Sequence, residues 1–141
     1  MASAPQSDDV SVLRLALLRA VYLVIALGMG LQTWPQIITG SGNWVHAAGT
    51  IKCMFGALTL LCLVGVRYPL KMLPLLFWEM TWKTIWLVVI ALPAWRSGTM
   101  DKETTENAFA CGLVVLVYAA VPWRYVVRQY VRAPAERWSK T

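Results

Sequence analysis

The sequence predicts an all-α polytopic membrane protein, a four-transmembrane-helix up-down bundle with both termini cytoplasmic. Three observations carry that expectation. Of the 141 residues 58% are hydrophobic and only 14% charged, too apolar for a soluble domain of this length. Four stretches, at 20–38, 47–66, 70–92 and 108–125, come close to or exceed the roughly 20 apolar residues that cross a hydrocarbon core. Basic residues divide unevenly: Arg14, Arg19, Arg67, Lys71, Arg124, Arg128, Arg132, Arg137 and Lys140 flank one side, against Lys52, Arg96 and Lys102 on the other. The positive-inside rule assigns the richer side, with both termini, to the cytoplasm. The net charge of +6 is then a consequence of topology, and nucleic-acid binding is not expected because no folded basic surface accompanies it.

Taken in order, residues 1–11 lack periodicity and read as a disordered tail ahead of a transmembrane domain at 12–132. No small-x-small cleavage site follows the first apolar run, so that span is expected to be retained as an anchor. Val12 to Arg19 form an amphipathic lead-in whose Arg14 and Arg19 are expected to extend to lipid headgroups. Gly28 and Gly30 thin the first helix for a close neighbour, and Gln32, Thr33, Trp34 and Pro35 close it at the outer interface. A short Gly-rich turn leads to the second span near His46, whose Gly49, Cys53 and Gly56 form a smooth packing seam. The third span, between Pro69 and Pro93, is expected to end at the second proline. The polar stretch that follows reads as an outer loop in which Ser97 or Thr99 caps a short turn.

The fourth span runs to Pro122, where the missing amide is expected to bend it. Beyond it Arg124, Arg128 and Arg132 recur every four residues among Trp123, Tyr125 and Tyr130. That is the composition of a helix anchored on the anionic headgroups of the inner leaflet. Residues 133–141 form a basic C-terminal tail.

The third span carries the polar residues of interest. Glu79 and Lys83 lie one helical turn apart, Glu first, the order in which the two side chains meet and neutralise each other inside lipid. At 100° per residue Glu79, Trp82, Lys83 and Trp86 share one arc, expected to face protein, and Phe77, Met80, Thr84, Leu87 and Val88 the opposite one, expected to face lipid. Rise per residue brings Lys52 and Cys53 to the depth of Lys83. The expectation is an outward-facing polar recess with Glu79 at its floor, Lys83 and Lys52 on its walls, and His46 and Asn107 at its mouth. Trp78, Trp82 and Trp86 form an aromatic lining at four-residue spacing, which packs a core or holds a cation or quinone ring.

Other chemistry is not encoded. The chain has one His and three Cys without a C-x-x-C, so no metal or other cofactor is expected, and Cys53 with Cys111 is the pair at matched depth. Ser-His-Asp, paired-carboxylate and phosphate-loop motifs are lacking. In gross layout the chain resembles several groups of small bacterial membrane proteins, the small multidrug-resistance exporters and the DoxX-like proteins among them. It shares span count with both and a buried Glu with the exporters, whose acid lies in the first span; no specific motif identifies a family. The functional expectation is a non-enzymatic accessory or interaction subunit of a bacterial inner membrane, its Glu-Lys pair setting helix register and its partners being the anionic bilayer, a second copy or a larger membrane complex. Two alternatives stay open: a homodimeric proton-coupled transporter of a small molecule or ion using Glu79, and a quinone-linked oxidoreductase subunit.

Overall fold

The computed structural model describes residues 10–41 and 44–136. These residues are mostly helical, without a strand among them, in five helices: α1 (Val12–Thr39), α2 (Ala47–Arg67), α3 (Leu73–Ser97), α4 (Lys102–Ala120) and α5 (Trp123–Arg132). The first three are each long and apolar enough to cross a membrane, and α4 with α5 makes a fourth if that bent pair counts as one span. The expected tail at 1–11 and the C-terminal tail fall largely outside the described residues.

Local chemistry sets the boundaries. Ser11 caps α1 by accepting the Arg14 amide at 3.3 Å, and Gly40 closes it in the left-handed conformation (φ 64°) that glycine adopts without steric cost. Pro74 begins α3 in its first turn, where the missing N–H was unpaired in any case. Pro93 does not end α3, contrary to the sequence expectation; the helix continues to Ser97 and stops at the left-handed Gly98. The obstacle is absorbed upstream. Leu87–Ala91 widens into a π turn, in which the Leu92 amide bonds the Leu87 carbonyl and the backbone adjusts around the carbonyl the proline ring would strike. The expected outer loop shrinks correspondingly. Asp101 caps α4 by accepting the Thr104 amide at 2.7 Å, so α4 starts at Lys102, well before the expected 108. Ser97 and Thr99 hydrogen-bond each other and do not start the helix.

At the far end α4 stops at Ala120 and α5 leaves at 72° to it, so 108–125 is no continuous span. Val121 is extended, as the residue before a proline prefers. The carbonyls freed by the break find side chains: Arg14 Nη1 donates to Val121 O at 3.0 Å and Ala119 O at 3.4 Å, and Trp123 Nε1 donates to Tyr118 O at 2.8 Å. Tyr130 of α5 meets Phe77 of α3 edge-on at 5.3 Å. The bend is thus fixed by specific contacts on both sides.

Packing is organised by α1, which lies along α2 and also meets the Val114–Ala120 half of α4, while α3 packs against α2 and α4. Leu18 and Tyr22 of α1, Cys62 of α2, Leu73 and Leu76 of α3 and Val121 are fully buried. Arg19 Nε donates to Val66 O at 3.2 Å and Tyr22 Oη to Pro69 O at 3.0 Å. Arg14 and Arg19 therefore tie helix ends together, where the sequence reading directed them to headgroups; the carbonyls left unpaired at helix ends attract them. Gly65 admits the Tyr22 ring, since a Cβ there would lie 2.5 Å from a ring carbon. Farther along, Trp34 Nε1 donates to Thr59 Oγ1 at 2.8 Å, and Gly56 is buried beside Ile37 and Trp34. Cys53 is exposed and takes no part in the expected seam.

Candidate functional site

An amphipathic rotation of α3 brings Glu79 to complete burial about 9 Å from the Leu73 end of the helix, with Lys83 about 6 Å farther on. Lys83 Nζ lies 2.6 Å from Glu79 Oε1, and Trp82 Nε1 donates to Oε2 at 2.7 Å. The ammonium contact is an ion pair without hydrogen-bond alignment at Oε1, so charge neutralisation is its main contribution. Lys83 keeps 16% of its side chain accessible and lies 5.6 Å from the centre of the Trp82 ring, close enough for cation–π attraction. One indole thus contacts both members of the pair. All three residues fall within a single helical turn, so the local charge balance needs no second helix.

What the neighbours contribute is enclosure. Cys62 of α2 and Cys111 of α4 are both buried, as Glu79 is. The sequence sets Cys53 at the depth of Cys111, but Cys53 is exposed, whereas Cys62, farther along the same helix, is buried. Thr84 donates to Met80 O and shares a hydrogen bond of 2.9 Å with Tyr118, linking α3 to α4 at the residue after Lys83.

The face assignment of α3 needs correction. Met80 is 4% exposed, Phe77 and Leu87 pack against the core, and Thr84 is engaged with α4, whereas Val88 is 57% exposed as expected. The helix lies between two neighbours and buries two sides, and a single arc cannot describe that. The tryptophan stripe divides as well. Trp78 is exposed and its ring centre is 6.2 Å from that of Trp82, which bonds Glu79, while Trp86 is half-buried.

The other members of the expected recess lie elsewhere. Lys52 lines a separate groove of about 350 Å³ between α1 and α2, with Gln32, Thr33, Gln36, Ile51 and Phe55 among its walls, and its Nζ sits 5.2 Å from the Trp44 ring centre. His46 precedes α2 at a positive φ of 45°, makes no cap bond through its side chain and is exposed. Asn107 is exposed on the polar first half of α4. Equal depth on different helices did not bring these groups into one cavity, because depth leaves rotation about each helix axis unspecified. Phe55 is the connection between the two places: it lines the groove and meets Trp82 at 6.0 Å, so two rings separate the groove from the ion pair.

Arg124 and Arg132 are exposed on α5, and Arg128, also exposed on its surface, has a partner. No cluster of three or more His, Cys, Asp or Glu side chains suited to a metal ion occurs among the described residues. No family model, curated protein or solved structure matches the chain.

Proposed function

We propose that this chain is a small, non-enzymatic accessory or interaction subunit of a bacterial inner membrane, with its helices in up-down order and both termini cytoplasmic. The engagement of both Glu79 oxygens, one by Lys83 and one by Trp82, at a position with no accessible surface carries the reading. A carboxylate held in this way is neutralised and desolvated, which suits a fixed structural element better than a group that must repeatedly take up and release a proton. Lys83 at 16% exposure is the accessible edge of the pair. Topology is supported by seven arginines and lysines clustered toward the Arg14 end of the bundle, at Arg14, Arg19, Arg67, Lys71, Arg124, Arg128 and Arg132. The bent α5 carries three of those arginines along the inner leaflet, where anionic headgroups are its partners.

Glu79→Gln distinguishes this from proton-coupled transport. Reconstituted in vesicles under an imposed pH gradient, wild type and variant should conduct protons indistinguishably, while the variant melts at lower temperature in detergent. A flux that the wild type supports and a folded Glu79→Gln variant loses would overturn the reading in favour of a carrier.

A further inference from the structure

The groove between α1 and α2 has a polar end and an apolar flank. Gln32 and Gln36 line it from α1, Lys52 from α2, and Ile51 and Phe55 continue it as hydrocarbon and ring surface. Its depth is set by helix length. At 28 residues, α1 is about 42 Å long, the thickness of a bilayer with its headgroups. The Thr39 end therefore lies among headgroups, with Gln36 and Gln32 about 5 and 10 Å below it and Lys52 about 8 Å below the start of α2. Glycerol esters and phosphates occupy this layer.

Charge completes the argument. The ion pairs among the described residues are Glu79 with Lys83 and Lys102 with Glu106, so Lys52 has no described carboxylate within ion-pair distance. The Trp44 ring lies near its ammonium, steadying a cation that has no carboxylate partner among the described residues. A cation and two carboxamides above an aliphatic and aromatic wall are complementary to an anionic amphiphile.

We propose that this groove binds one anionic phospholipid from the leaflet on the Gly40 side, Lys52 pairing with the headgroup phosphate and Gln32 and Gln36 donating to phosphate or ester oxygens. One acyl chain then runs along Ile51 and Phe55. The groove differs in helix, depth and membrane side from the arginines of α5, and its lipid is independent of the role assigned to Glu79.

Native mass spectrometry of the purified full chain, titrated with phosphatidylglycerol or phosphatidylcholine in detergent, tests the assignment. The wild type is expected to retain one tightly bound phosphatidylglycerol that phosphatidylcholine does not replace. Lys52→Gln should weaken that first binding event about fivefold or more, the loss of roughly 1 kcal/mol for a basic residue near anionic lipid. Lys52→Arg should keep it, and Arg124→Gln should leave it unchanged. Gln36→Leu, which retains the charge, provides a second measure should Lys52→Gln fail to fold, and is also expected to bind more weakly. The proposal is overturned if both Lys52→Gln and Gln36→Leu bind phosphatidylglycerol as the wild type does, or if Arg124→Gln removes the tight site. Displacement of the lipid by millimolar inorganic phosphate would assign the groove to a free anion and equally refute a lipid site.

Discussion

Replacing Lys83 with methionine keeps most of the side-chain volume and removes the charge that lies 2.6 Å from Glu79 Oε1. The carboxylate is then left fully buried with the Trp82 N–H as its remaining described partner. Removing one member of a buried ion pair typically costs about 3–5 kcal/mol, because the other charge stays desolvated and unpaired. Lys83→Met is therefore expected to lose about 3–5 kcal/mol at pH 7. Glu79→Gln should lose less, about 1–2 kcal/mol, since the carboxamide oxygen still accepts from Trp82 and the partly accessible ammonium can extend its flexible stem toward polar surroundings. The double variant Glu79→Gln, Lys83→Met contains no buried charge at this position and should fall within about 1 kcal/mol of wild type. Equilibrium unfolding in mixed micelles, arranged as a double-mutant cycle, then yields a coupling of about 3 kcal/mol or more. Additive single losses, or a Lys83→Met deficit under about 1 kcal/mol, would refute the claim that this pair is buried and mutually dependent.

Other contacts make separate predictions. Gly65→Ala places a methyl 2.5 Å from the Tyr22 ring, and the helices must separate to admit it, so a loss of about 1–3 kcal/mol is expected by the same unfolding assay. Arg14→Leu removes the donors to Val121 and Ala119 carbonyls; hydrogen exchange should accelerate across the α4–α5 junction, with a stability loss of about 1–2 kcal/mol. Asp101 is held below the usual carboxylate range first by its hydrogen bonds from Thr104. Its folded form therefore binds a proton less readily than its unfolded form, and the cap contributes stability above the ordinary Asp value of about 3.9 that is lost as pH falls through the lower folded value. A melting curve followed from pH 6 to pH 3 should show this decline, and Asp101→Asn should flatten it.

Features that lie within one helix were readable before any fold was known. Glu79 and Lys83 meet because they are four residues apart in a helical segment, and the bend at Pro122 follows from a ring that lacks an N–H. The helical, membrane-crossing class came from the run lengths of apolar residues, since a bilayer leaves few other ways to satisfy a backbone. Some local signals were present but outweighed: Asp101 and Glu103 mark the start of α4, yet their polarity read as loop. Continuation of α3 through Pro93 needed a π turn, which no hydropathy pattern announces.

Partners far apart in sequence were decided by the tertiary structure. Arg14 reaches carbonyls more than a hundred residues away, Tyr22 meets Gly65 and Pro69, and Lys52 lines a groove apart from the ion pair. The physical reason is the solvent. In water the polar side of a helix marks the outside, but lipid tails are as apolar as a protein core, so Met80 turned inward and Val88 turned outward look alike in sequence. Composition and spacing thus determined that several helices are long and apolar enough to cross and which charges meet within a turn, while the rotation of each helix, and with it every contact between helices, was set by packing.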